Sequence, residues 1–248
     1  MDQNKFNERR KLLTVIGKTL ITNWLCFLWP WKNVSAKDNK IQMRKFMKLP
    51  SANTNGTTSV EQAIAQRRSH RSFMPKILSL DQLAQLLWAT QGVTDKNNFY
   101  RSAPSAGALY PMDIYFSVGQ DCVSNIEAGV YHYEPREHAI SQLIKNDLRV
   151  NIAKTSLFQM WMANAPVSFI ITAEYKRVSM KYGARGERYA MIEAGHIGQN
   201  LFLQAEAMGL KSGIIGAFDD AEMNKLLNLP RSHEPLLIMP VGYGQKNN

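Results

Sequence analysis

The sequence predicts an α+β fold, in which a sheet is flanked by helices. Three observations predict it. Helical and extended patterns follow one another in the mixed order α-α-β-β-α-β-α-β-α-β. One extended run, Val167 to Ala173, is almost continuously apolar, as a strand buried on both faces must be. The chain has 248 residues, 45% of them hydrophobic, which is enough for a sizeable core.

Each element has a local reason. Ser59-Val60-Glu61-Gln62 and Ser79-Leu80-Asp81-Gln82 are capping-box patterns, in which a serine and a glutamine three residues on satisfy each other's end of the helix. The first opens a helix through about Arg68. The second opens one with Leu80, Leu83, Ala84, Leu87 and Trp88 on its apolar side, ending at Gly92. Residues 113–118 and Val130 to Tyr133 read as strands, the latter ending at Pro135. Leu148 to Met162 reads as one helix. After the buried strand, a long helix is expected from about Arg188 to Met208, stopped by Gly209. Ser212 to Phe218 and Leu236 to Val241 read as the last strands, with a helix capped by Asp219-Asp220 between them. Residues 37–58, rich in small and polar side chains, read as a linker or arm, which leaves 59–248 as the main domain.

The formal charge is +10, and residues 1–36 hold +4 of it. The balance suits an anionic small ligand, and no nucleic-acid-binding signature accompanies it. Residues 1–36 look like an export signal. The pair Arg9-Arg10 precedes an apolar stretch from Leu12 to Trp31, and Val34-Ser35-Ala36 supplies a small-X-small cleavage pattern. The expectation is a twin-arginine signal removed after Ala36 and a periplasmic protein. An uncleaved amphipathic anchor or a plain N-terminal helix, in a cytoplasmic or membrane-associated protein, is the alternative. Cys26 falls inside this segment, so the mature chain keeps Cys122 alone and no intramolecular disulfide.

Several chemistries lack their residues. No Gly-X-Gly-X-X-Gly follows a strand, and there is no phosphate-binding P-loop, no His-Glu-X-X-His and no Gly-X-Ser-X-Gly elbow. The five histidines show no ligand spacing, so no metal is expected, and His132 and His138 are expected at the surface around a proline turn. What remains is a set of four blocks. Arg67-Arg68-Ser69-His70-Arg71 gathers three guanidiniums and a hydroxyl, a donor-rich surface that matches phosphate oxygens. Arg101 to Pro111 is built of small residues, proline and glycine, a backbone that can approach a flat ligand. Lys181-Tyr182-Gly183 leads toward the long helix. That helix carries Glu193, His196, Asn200 and Gln204, a polar stripe that calls for a polar network or a subunit contact.

Together with Tyr189 to His196, Gln199-Asn200-Leu201 and Ile215-Gly216-Ala217-Phe218, these blocks occur in the order found in the nitroreductase superfamily. The chain resembles most closely its SagB-type (thiazole/oxazole oxidase-like) dehydrogenase branch, over roughly residues 45–244. The resemblance implies an intertwined homodimer with a mixed sheet and FMN at the subunit interface. It implies that Arg67, Arg68 and Ser69 hold the FMN phosphate and that Arg71 lies near the N1/O2 edge of the flavin. Pro104, Ser105 and Ala106 would reach in from the partner subunit, in a cofactor-binding segment that includes Gly107 and Leu109. Gly216 and Ala217 would pass beneath the ring with a backbone amide near N5. Lys181 and Tyr182 match a pair that is catalytic in that branch, a base and a proton relay. Many relatives place a C-terminal basic pair on the phosphate, for which only Lys246 is available here.

The implied activity is a flavin oxidoreductase acting by ping-pong hydride transfer on a small-molecule or peptide-borne substrate. Export would separate it from soluble NAD(P)H, which favours the dehydrogenase direction. The alternatives are an NAD(P)H-dependent nitro or quinone reductase and a non-redox flavin-binding module.

Overall fold

The computed structural model describes residues 46–245. The expectations on residues 1–36 and on Lys246 lie outside the described residues. Seven strands form one sheet in the order β1-β4-β3-β2-β5-β7-β6. They are β1 (Phe46–Lys48), β2 (Met112–Val118), β3 (Gly129–Glu134), β4 (Ala139–Ile144), β5 (Val167–Ala173), β6 (Lys211–Ser212) and β7 (Glu234–Gly242). All these strands pair antiparallel. Among the described residues, parallel pairing enters only at isolated bridges such as Ser69 with Ser212.

The helices are α1 (Val60–Gln66), α2 (Leu80–Gln91), α3 (Arg149–Thr155), α4 (Lys176–Tyr182), α5 (Arg185–Ala207) and α6 (Asp220–Leu226). Both capping boxes form as the sequence predicts, at Ser59 with Gln62 and at Ser79 with Gln82. None of the described helices is long and apolar enough to cross a membrane.

Strand periodicity divides the core. On β2 and β5, Met112, Ile114, Phe116, Val118, Val167, Phe169 and Ile171 pack against α2 and α5. Tyr115 and Ile170 point the other way, into a second cluster with Ile152 and Ala153 of α3 and Met223 of α6. Every residue of β5 is buried, as its continuous apolar run requires.

The departures from the sequence reading are local. Within the segment read as an arm, Phe46–Lys48 adds an edge strand to β4. The helix expected over 148–162 is interrupted: α3 ends at Thr155, Leu157 and Phe158 adopt positive φ, and a 3-10 turn follows at Met160–Asn164. The strand expected over 212–218 shortens to Lys211–Ser212 and one bridge at Ile215. β4 and α4 were not foreseen; β4 carries Ser141 and Gln142 in mid-strand, which breaks its apolar alternation.

Nor are His132 and His138 surface residues. His132 has a side chain only 12% exposed and lies between Asp113 (3.3 Å) and Glu134 (2.8 Å). His138 is held between the Tyr133 hydroxyl and the Pro50 carbonyl. Burial alone would lower the pKa of His132, but its hydrogen bonds to Asp113 and Glu134 win and hold it up at about 9. The same centre includes Arg177, which pairs with Asp113 (2.7 Å) and Glu174 (2.6 Å), and His233. A histidine with a raised folded pKa stabilises fully below its unfolded value near 6.5 and loses that contribution as pH rises through about 9. His132 is therefore expected to contribute about 3 kcal/mol at the low end of that window. Denaturant unfolding of the protein and of His132→Gln across this range should show the difference between them shrinking toward zero as pH rises. A constant difference would contradict the ion-paired histidine.

Candidate functional site

The candidate residues fall into two groups, each assembled by a different part of the fold. The first begins where α1 ends. Arg67 is the C-cap of α1, with extended ψ, so the chain leaves the helix straight into the Arg67–Arg71 run. Ser69 bridges to Ser212 and the His70 amide donates to the Ser212 carbonyl at 2.8 Å. Farther on, the Met74 amide donates to the Tyr243 carbonyl, and the Gln245 amide donates to the Ser72 carbonyl. Residues 69–74 are thus a strap laced between β6 and the C-terminal segment. The fit to β6 is tight: a Cβ on Gly213 would lie 2.7 Å from the His70 carbonyl and 2.9 Å from the Trp161 ring.

The strap presents Arg68, Ser69 and Arg71 exposed and Arg67 half-buried over the Phe202 ring at 5.1 Å. Arg67, Arg68 and Arg71 have no carboxylate partner among the described residues. Two donor contacts of Arg68 return to the end of α1, to the carbonyls of Ala65 (2.9 Å) and Arg67 (2.7 Å). That satisfies helix-end acceptors and leaves Arg67, Arg71 and Ser69 as the freer donors. Beyond β6 the chain reaches Gly216 and Ala217, both exposed, and a Cβ added at Gly216 would meet nothing within 4 Å.

The second group centres on the loop before β2. Gly107, Ala108 and Tyr110 all have positive φ, a strained turn held by the Tyr110 amide donating to Ser105 Oγ at 2.9 Å. Gly107 faces the end of α4: a Cβ there would lie 2.8 Å from Tyr182 Oη and 2.9 Å from Lys181 Nζ. The structure therefore joins the loop Pro104 to Leu109 with Lys181 and Tyr182, which lie more than 70 residues on in sequence. Lys181 is exposed, 5.4 Å from the Tyr182 ring centre, and Tyr182 meets the Tyr189 ring edge-on at 5.1 Å. Arg177, one turn earlier on α4, donates to the Tyr110 carbonyl at 3.2 Å and ties α4 to the loop.

Gly107→Ala is expected to cost about 1–2 kcal/mol of stability, because an L side chain is strained at positive φ and its methyl group must push aside the ends of the Tyr182 and Lys181 side chains. Denaturant unfolding measures this, and an unchanged unfolding free energy would show that the turn has slack the geometry does not.

Sequence reasoning foresaw a polar network on α5 without its partners. Asn200 donates to the Ser102 carbonyl (3.0 Å), Gln204 accepts from Gln85 (3.1 Å), and Glu193 accepts from Gln91 (3.1 Å). Glu193 is 2% exposed, and burial pushes its pKa up to about 7 against hydrogen bonds from Ser105 and Gln91 and the charges of Arg101 and Arg177. Glu193 lines a cavity of about 130 Å³ together with Pro104, Ser105 and Ala106. Two larger hollows, of about 480 and 430 Å³, are lined by none of the candidate cofactor or catalytic residues.

No hydrogen bond, ion pair or ring contact among the described residues links the two groups. Helix α5 passes both, with Phe202 under Arg67 and Glu193 by Ser105, nine residues or about 13 Å of helical rise apart.

The residues present fit FMN. Guanidiniums without carboxylate partners beside a serine suit a phosphate. An open, side-chain-free backbone at Gly216 suits a flat ring. Asp113, Glu174 and His233 bring ligand atoms within 4.8 Å of one another, but Arg177 is paired with both carboxylates and His132 with Asp113 as well.

Comparison with known proteins gives the family of the chain. MJ1384 of Methanocaldococcus jannaschii, which bears the name of a nitroreductase, is 40% identical over 183 residues, 74% of this chain and 90% of that protein. The microcin B17-processing protein McbC of Escherichia coli is 28% identical over 169 residues, 66% of this chain and 62% of its own length. Among solved structures, a nitroreductase-named protein of Anabaena variabilis matches with TM-score 0.72 and 25% identity, over 82% of this chain and 42% of that one. The E. coli microcin synthetase McbBCD complex with truncated pro-MccB17 bound matches with TM-score 0.64 and 20% identity, over 100% of this chain and 95% of that chain, a likeness of fold. Residues 64–243 match the Nitroreductase family throughout, from the first helix to the end of the sheet, and the chain belongs to that family.

Proposed function

We propose that this protein is an FMN-dependent oxidoreductase of the dehydrogenase kind, with each flavin site shared between two copies of the chain. The observation that carries the shared site is the separation of the two residue groups. Arg67, Arg68, Ser69 and Arg71 form one half with Gly216 and Ala217. Pro104 to Leu109 form the other half with Lys181 and Tyr182, which approach the loop at Gly107. If the loop reaches a partner's flavin, Lys181 and Tyr182 go with it. An exposed apolar stripe at that end, Met180, Met191 and Ile192, 50–79% exposed, gives the partner a surface to cover.

In this reading Arg67 and Ser69 bind the phosphate, with Arg68 contributing the donors not directed at α1. Arg71 sets a positive charge by the ring, and the backbone at Gly216-Ala217 supports it. FMN, when bound, supplies a two-electron carrier that takes a hydride at N5. Loss of a hydride from substrate requires loss of a proton from the adjacent atom, and Lys181 is the base that removes it. Tyr182, between Lys181 and Tyr189, orients the lysine and passes the proton on.

Relatedness to proteins named for processing microcin B17 and trifolitoxin supports the dehydrogenase direction and a peptide-borne substrate. So does the export reading of residues 1–36. A second reading, an NAD(P)H-dependent nitro or quinone reductase, is favoured by the 40% identity to MJ1384. Anaerobic addition of donors to the yellow protein decides between them. A thiazoline-bearing peptide should bleach the flavin band and NADPH should not; rapid bleaching by NADPH would overturn the dehydrogenase reading.

A further inference from the structure

Between α3 and β5 the backbone is strained at two successive bulky residues. Leu157 and Phe158 adopt φ of 53° and 57°, the left-handed region that disfavours an L side chain. Burial does not offset the strain. The two side chains are 67% and 73% exposed, and Met160 beside them is 41% exposed. Neighbouring contacts hold the segment in this form. The Phe158 amide donates to the Lys154 carbonyl at 3.1 Å, and the Met160 amide to the Phe158 carbonyl at 2.8 Å. Trp161 then lies against Gly213 and stacks on Phe73 of the strap, with ring centres 6.3 Å apart. On its other side the Asp219 amide donates to the Thr155 carbonyl at 3.1 Å, and Gln159 Nε2 donates to the Ala217 carbonyl at 3.5 Å. The segment therefore runs along residues 213–219 and forms a rim beside the Gly216-Ala217 backbone. The amide of Gln159 is engaged with Ala217, so the exposed part of the rim is the apolar Leu157, Phe158 and Met160.

We infer that Leu157 and Phe158 are specificity-determining residues: they receive an aliphatic or aromatic side chain of the peptide-borne substrate, next to the group that the flavin oxidises. The inference rests on the proposed function, in which the flavin ring lies over Gly216-Ala217 and the substrate is carried on a peptide. Backbone strain that burial does not offset persists where it presents a group for use. An apolar rim in water gains free energy when an apolar group covers it. A hydroxyl or a charge placed there gives up its own water without a hydrogen-bonding partner in return. The substrate is the occupant that the position implies, since it must lie on the open face of the ring, and the rim stands beside the backbone under that ring. A second copy of the chain is the competing occupant.

The test uses two acetylated thiazoline peptides that differ only in the residue whose carbonyl carbon closes the ring, phenylalanine in one and serine in the other. Each is added anaerobically to the full-length holoprotein, and flavin bleaching is followed against peptide concentration. The parent should favour the phenylalanine peptide by about 10- to 100-fold in the ratio of limiting rate to half-saturating concentration, the effect of burying an apolar side chain. Leu157→Asn/Phe158→Asn removes the rim with a residue that tolerates positive φ. It should bring the preference down to within about threefold, by raising the half-saturating concentration of the phenylalanine peptide alone. Its limiting rate, FMN content and oligomeric state should match the parent's, and its unfolding midpoint should be no lower. Phe158→Leu should keep most of the preference. Five results would each overturn the inference: no preference in the parent, a preference that survives in the double variant, equal slowing of both peptides, loss of FMN, or a change of oligomeric state. The corresponding thiazole peptides, already oxidised, bind without reacting, and their Kd values, read from the flavin spectrum, carry the same comparison. If the thiazolines leave the parent unbleached while the thiazoles show the expected discrimination, the dehydrogenase direction fails and the rim assignment stands. If the peptides neither bleach nor bind, both fail.

Discussion

The double variant Arg67→Ala/Arg71→Ala is expected to fold and to come off purification colourless. Neither guanidinium has a carboxylate partner among the described residues. Arg67 rests over the Phe202 ring, so its removal should alter stability by no more than about 1 kcal/mol. Toward a ligand the two charges matter far more. Each charge-assisted hydrogen bond to phosphate or ring is worth about 1.5–3 kcal/mol, so losing two raises the Kd for FMN by roughly 10² to 10⁴. Arg68→Ala should do less, because two of its donor contacts already serve the end of α1. Equal losses for Arg68→Ala and Arg71→Ala, measured by FMN titration of the apoproteins, would contradict the division of labour along the strap.

The second large effect belongs to α4. Lys181→Ala and Tyr182→Phe should slow anaerobic bleaching by about 10² to 10⁴, the range for a lost general acid or base, with FMN content near that of the parent. The donor is whichever compound bleaches the parent protein. Lys181 is exposed and Tyr182 half-buried, so neither change empties the core. If both variants bleach at the parental rate, the two residues only pack the loop, and the reductase reading gains.

Much of this was legible because short-range chemistry announces itself. The capping boxes at Ser59 and Ser79 are satisfied within four residues, so sequence and structure agree there. The Val167–Ala173 run admits one environment, burial on both faces, and it is an interior strand of the sheet, between β2 and β7. The Arg67–Arg71 run and the loop before β2 stand out by composition. What was not legible is set by distance in the chain. α4 has no side-chain cap at its start, with Tyr175 as its N-cap, so nothing local marks it. Its stability comes from Arg177 reaching Asp113, Glu174 and Tyr110, two of them more than 60 residues away. His132 looked like a turn residue beside Pro135, yet the register of β2 on β3 places it by the buried Asp113 carboxylate. The break at Leu157 and Phe158, both at positive φ, carries no glycine or proline to mark it in the sequence, and beyond it Trp161 lies against Gly213, more than 50 residues on. The polar stripe of α5 was visible as a pattern, but only packing shows that Glu193 ends on Gln91, facing the cavity that Ser105 lines, while Asn200 and Gln204 end elsewhere.

The central claim is that the arginine strap of one chain works with Lys181 and Tyr182 of another. Subunit complementation tests it most directly. One chain carries Arg67→Ala/Arg71→Ala and the other Lys181→Ala; each alone is inactive. Co-expressed with different affinity tags and purified through both, the hybrid should recover about half the flavin and half the activity of the parent, because one of its two sites then unites an intact strap with an intact lysine. A hybrid dimer that forms but stays inactive would place both halves of the site in the same chain and contradict the account.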